Sequence, residues 1–168
     1  MKSSIVYAGR NRANRFSLAV LAVLVVFTKE IAWATEFSIT KSGAPGQVLV
    51  LSNSHTDPGV GFTNFNVLYP DTPPGTLNDP KQLLEIRWST TYYPGTLRDD
   101  VELCYFRPFS AEKNCETISP NSSGVLMVFN DQSFGHGSKV TIYHRVLGGT
   151  PPYARPAGVD SVTFKYRY

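Results

Sequence analysis

The sequence predicts an all-β fold, an antiparallel β-sandwich of immunoglobulin-like or Greek-key type with one disulfide, and three observations carry that expectation. After residue 34 the chain falls into runs of about four to ten residues rich in Val, Ile, Thr, Tyr and Phe. Clusters of Gly, Pro, Asn and Asp separate those runs, as in sandwiches and barrels. No window repeats apolar residues at helical spacing, which disfavours a parallel sheet with crossover helices.

The elements follow in order. "EFSITK" (36–41) and "QVLVLS" (47–52) are short β-rich runs divided by Ser-Gly-Ala-Pro-Gly. "GVGFTNFNVLY" (59–69) alternates Phe62, Asn64 and Asn66 against Thr63, Phe65 and Val67. "PDTPPGTLNDP" (70–80) holds too many prolines to be anything but loop. "QLLEIRWSTTYY" (82–93) is the longest β-like stretch, ended by Pro94-Gly95, and the shared parity of Leu84, Ile86 and Trp88 sets those three toward the core. "DVELCYF" (100–106) and "CETIS" (115–119) flank the loop "RPFSAEKN". "SGVLMVF" (123–129), "SKVTIYHRVL" (138–147) and "GVDSVTFKYRY" (158–168) complete the set. In the last of these, Val162, Phe164, Tyr166 and Tyr168 oppose Ser161, Thr163, Lys165 and Arg167, so one face is apolar and the other wet.

Residues 1–34 read as a secretory signal peptide preceding one domain over 35–168. Lys2, Arg10, Arg12 and Arg15 form a positive segment, Phe16 to Phe27 an apolar run, and Ala32-Trp33-Ala34 a cleavage site. The apolar run is shorter than the roughly 17–25 residues that span a bilayer, and Lys29 and Glu30 bar its extension, so no stable membrane span is expected after cleavage. The arginines are not paired, which fits the general secretory route. The leader holds five of the sixteen Lys+Arg (Lys2, Arg10, Arg12, Arg15, Lys29) and one of the thirteen acids (Glu30). Eleven basic and twelve acidic side chains therefore remain, a net charge of −1. A domain with that balance and no basic run has no electrostatic footprint for nucleic acid.

Export settles the reading of Cys104 and Cys115, which are the only cysteines. In an oxidising compartment two cysteines pair by default. A strand ending near Phe106 and another starting near Cys115 form a hairpin with the two facing each other near its mouth. Closing such a ring contributes roughly 3 kcal/mol on the chain-entropy estimate. There is no Cys-x-x-Cys to make a redox centre, and two thiolates without a second ligand pair make no structural zinc site. The pair reads as a structural disulfide.

Little else points to chemistry, and no catalytic residue, metal or cofactor is expected. The nucleophile elbow, the phosphate-binding loop and the His-Glu-x-x-His motif are missing from the sequence. "FGHGSK" (134–139) sets His136 near Ser138, but neighbours in a glycine loop have no fixed geometry, and a turn explains the glycines. His55 sits in a polar turn, and His144 alternates with Tyr143 and Arg145, so the histidines read as surface residues. Asp99-Asp100 reads as a solvated loop, and Asn121-Ser122-Ser123 as a turn. Trp88 reads as a core aromatic of a central strand. Tyr92, Tyr93, Tyr105, Tyr143, Tyr153, Tyr166 and Tyr168 divide between two readings, exposed contact residues and half-buried strand positions.

From about Leu83 to Tyr168 the chain resembles the periplasmic flagellar protein FlhE. The shared features are a strand carrying Trp88, "VELC" with its second cysteine at 115, Ser123-Gly124, the turn "VLGGTPPYARP" (146–156) and a closing "SVTFKYR". The resemblance implies a periplasmic, non-enzymatic accessory protein of flagellar assembly that binds another protein in a chaperone-like or gating role. It brings no catalytic residues; only Cys104 and Cys115 carry over, in a structural role. The loops "PDTPPGTLNDP" and "RPFSAEKN" are longer than that family leads one to expect.

A second expectation comes from another class, a surface-fibre subunit of pilin or spore-coat-U-like type, assembled by strand exchange and located at the cell surface. "TEFSITK" alternates enough to act as a donor strand. Pilins place their disulfide early, whereas here it lies in the middle of the exported part. A secreted hydrolase or inhibitor comes third, on the loops alone. Under either leading reading the partner is a protein, and the sheet edges with the two proline-rich loops are the expected contact surfaces, because pre-ordered loops lose less entropy on binding.

Overall fold

The computed structural model describes residues 35–51 and 56–168. The expected leader and His55 lie outside the described residues. Eleven strands are described: β1 (Glu36–Gly43), β2 (Val48–Leu49), β3 (Gly59–Asn66), β4 (Lys81–Ser89), β5 (Arg98–Phe106), β6 (Lys113–Ile118), β7 (Ser123–Leu126), β8 (Ser133–Phe134), β9 (Lys139–Leu147), β10 (Tyr153–Ala154) and β11 (Asp160–Arg167). Every pairing among them is antiparallel.

Two sheets face each other. One runs β1-β11-β4-β7, with β8 on the β7 side of β4 nearer its start; the other runs β3-β9-β5-β6. Period-two alternation sends one face of each strand inward. Ile39, Ile86, Val162, Phe164 and Tyr166 from the first sheet meet Phe65, Val101, Leu103, Tyr105, Val140 and Ile142 from the second in one apolar cluster. The antiparallel sandwich and its disulfide are as the sequence predicts. A separate small cluster, Val48, Val50, Tyr93, Val146 and Ala154, lies beneath the two-stranded β2–β10 ribbon.

Two local expectations are corrected, and two short strands go unforeseen. The stretch 82–93 stops being strand at Ser89, because Thr90 and Thr91 turn the chain and bond to other segments. On β4 the core takes Leu83 in place of Leu84. Tyr166 pairs with Leu83 and Lys165 with Glu85, so Leu84 is an extra residue on β4, a bulge that reverses the parity. Without it Glu85 and Arg87 would point into the core; with it Ile86 is fully buried and Trp88 packs on the cluster. The short strands β8 and β10 give no run long enough to notice in sequence.

The two proline-rich loops lie at opposite ends of the sandwich. Residues 67–80 join the end of β3 to the start of β4, and residues 148–152 follow the far end of β9. No helix among the described residues is long and apolar enough to cross a membrane.

Candidate functional site

Directly opposite positions on the β5–β6 hairpin hold Cys104 and Cys115, bonded to each other with Cα atoms 4.0 Å apart. Cys104 is buried on the outer side of its sheet, and Cys115 is exposed on edge strand β6. Glu102 lies beside them, but both sulfurs are spent in the disulfide, so the trio offers a metal only one carboxylate.

In "FGHGSK" the two polar side chains are held separately. Ser138 is fully buried, and its Oγ accepts from the Gly135 N–H and bonds the Tyr105 hydroxyl. His136 packs edge-on against Phe109. Each has its own structural partner. Asn121 sits in a turn at φ 49°, a conformation asparagine tolerates, and its N–H donates to the Thr91 carbonyl.

His144 and Asp99 are not surface residues. His144 is fully buried on β9, with Asp99 of β5 against one ring nitrogen and Asp160, also fully buried at the start of β11, against the other. The Nδ1 lies 3.1 Å from both Asp99 oxygens, and the Nε2 3.3 Å from both Asp160 oxygens. Asp160 also accepts from the Thr63 hydroxyl at 3.1 Å and from the Thr91 N–H at 2.9 Å. Asp100, by contrast, points outward to Arg98. An ionised carboxylate only accepts, so the imidazolium is the form of the ring that can donate to a carboxylate at each nitrogen. Burial alone pushes the His144 pKa down, but the bonds to Asp160 and then Asp99, and their charges, prevail and raise it to about 9. The Tyr93 ring stands edge-on to His144 at 5.4 Å, and its hydroxyl donates to the Gly46 carbonyl. Removing one partner of such a buried pair costs about 3–5 kcal/mol. The sequence shows His144 alternating with polar neighbours; it does not show that residues 45 and 16 positions away supply carboxylates from two other strands.

Exposed large apolar side chains occur at both ends and also elsewhere, on β3 (Val60 and Phe62) and in the 107–112 loop (Phe109). Leu68, Tyr69 and Leu77 sit on the 67–80 loop. That loop is held by Asp71, which accepts from the Leu68 N–H and pairs with Lys41 at 2.7 Å, and by Lys81, which donates to the Thr76 and Asp79 carbonyls. Although burial works the other way, the Lys41 and Leu68 contacts hold the Asp71 pKa below its ordinary value. Leu49 and Tyr153, paired across the β2–β10 ribbon, and Leu51 and Leu97 are exposed at the other end. Val125, Met127 and Val128 line the outer edge at β7. Of the tyrosines, Tyr93, Tyr105 and Tyr166 are core residues, whereas Tyr92 and Tyr153 are exposed.

No family model matches the chain, and no curated protein matches it. Among solved structures, the crystal structure of FlhE aligns with a TM-score of 0.50 and 15% identity, covering 80% of this chain and 100% of that one. At that identity the likeness is one of fold. A protein of desmodium yellow mottle tymovirus aligns at a TM-score of 0.32 and 12% identity, over 98% of this chain and 93% of its own, too distant to carry an argument.

Proposed function

We propose that this chain is an exported, non-enzymatic accessory protein of flagellar assembly, working in the periplasm by binding another protein in a chaperone-like or gating role. The observation that carries this reading is the fold likeness to FlhE across the whole of that chain. It agrees with the sequence resemblance over residues 83–168, and the disulfide suits an oxidising compartment. The exposed apolar residues on the two proline-rich loops, and the internal bonds that hold the 67–80 loop, support contact through pre-ordered loops.

The test is affinity capture of the tagged protein from periplasmic extract, paired with swimming assays of a deletion strain. Recovery of a flagellar component and altered swimming are expected. If no flagellar protein is retained and swimming is unchanged, the reading fails.

A second reading, a fibre subunit built by strand exchange, draws on one observation. The N-terminal β1 is an outermost strand, held to β11 over eight residue pairs, so a neighbour's copy fits the same place. Heat-labile multiples on unboiled gels and in size-exclusion chromatography would favour it over the first.

A further inference from the structure

The buried chain Asp99–His144–Asp160 spans both sheets at one end of the sandwich, and the segments around residues 46, 90–97 and 155–159 attach to it directly or through Tyr93. Asp160 closes the 155–159 segment and enters β11. The 90–97 segment reaches the network twice, through the Thr91 N–H on Asp160 and the Tyr93 ring on His144. Tyr93 in turn holds residue 46 through its hydroxyl, and the chain there lies so close to β3 that Cβ atoms at Gly59 and Gly61 would strike the Leu49 carbonyl and the Tyr93 hydroxyl. Other polar bonds at this end do not involve the ring: Val50 N–H to Pro152, Leu97 N–H to Leu147, Ala157 N–H to Tyr92, and the bonds that tie Thr90 and Thr91 to residues 119–122.

We propose that Asp99–His144–Asp160 is a charge latch: the imidazolium holds this loop-bearing end of the sandwich closed, and loss of its proton lets the end open while the two-sheet core stays folded. A neutral imidazole has one N–H and two carboxylates to satisfy. One carboxylate then loses its imidazole donor and faces the other across the ring in a buried setting. The remaining groups around the ring cannot substitute. Thr63 from β3 and Thr91 already donate to Asp160, and Val101 of β5 and Gly61 of β3 lie opposite His144 in register. Burial and the two carboxylates raise the Tyr93 pKa well above its ordinary value, so that hydroxyl stays protonated and keeps its bond to Gly46. Arg145, next along β9, is engaged outside with Glu102.

The sign follows from linkage. The folded-state value, about 9, lies above the ordinary 6.5, so the latch is complete below pH 6.5 and is lost as pH rises through 9. Between those limits the open form gains about tenfold per pH unit, one proton's worth. The inference stands apart from the flagellar reading, because its tests involve no partner.

Two measurements on the wild-type protein decide it. Long-range nitrogen–proton NMR of His144 at pH 7 should show both ring nitrogens protonated; a neutral tautomer there would overturn the latch. Amide exchange, corrected for the intrinsic base-catalysed rate, should show protection at Val50, Leu97 and Ala157 falling about tenfold per unit from pH 6.5 to 9, with the β4–β11 ladder unchanged. Loss of protection that is independent of pH, or that spreads equally through the ladder, would also overturn it. In His144→Gln the same amides should exchange at the open-end rate already at pH 7, with the pH dependence flattened. If that variant does not fold, the wild-type titration and exchange profile still decide.

Discussion

Gly124 lies opposite Trp88 across the β4–β7 pair, and a Cβ there would stand 2.7 Å from the indole Cζ2. A glycine on an edge strand here makes room for the largest ring of the fold. Gly124→Val should destabilise by about 1–3 kcal/mol through forced displacement of that ring. Urea unfolding followed by tryptophan emission would measure it, and an unchanged midpoint would mean that the ring has room elsewhere. Trp88 as a core residue was legible from the parity of its strand. The role of Gly124 was not, because a cross-strand contact depends on register, which the residues at 123–126 do not announce. His144 shows the same limit: its neighbours give its parity, but its burial comes from acids supplied by other strands.

At the level of elements, the bulge at Leu84 makes a contrast that parity alone gets backwards. Leu83 is fully buried and Leu84 only partly so. Leu83→Ala should cost about 2–5 kcal/mol, whereas Leu84→Ala should cost no more than about 1 kcal/mol. Equal losses in thermal or urea unfolding would argue against the bulge. The β5–β6 hairpin gives a second contrast. Replacing both Cys104 and Cys115 by Ala should remove about 3 kcal/mol on the chain-entropy estimate, while the fold, stapled only within one hairpin, persists by circular dichroism. A double variant as stable as the parent would show that the unfolded chain gains little freedom from reduction. The hairpin was readable because its strands and loop are contiguous. The bulge was not, since it is defined by its partner on β11.

For the whole molecule, β1 is the element whose removal tests how the sandwich is completed. Its Ile39 enters the common core and its backbone pairs with β11 along its full length. A chain beginning at Ala44 should lose several degrees of melting temperature, and a synthetic peptide of residues 36–43 should restore them by re-pairing with β11. Failure of the peptide to act would weaken the strand-exchange reading without touching the first. Exposed apolar residues lie at both ends, yet the ends differ physically. One is secured by the partly buried ion pair Lys41–Asp71, the other by a fully buried one. By itself the sequence determined the all-β class, nearly every long strand, the inward face of β11 and the disulfide. These rest on local alternation, turn residues and two cysteines, which act over a few neighbouring positions. Tertiary structure alone decided the sheet order, the reversal at Leu84 and the joining of Asp99, His144 and Asp160. The reason is that each depends on which strands lie side by side, and burial of a charge becomes meaningful only once distant carboxylates close around it.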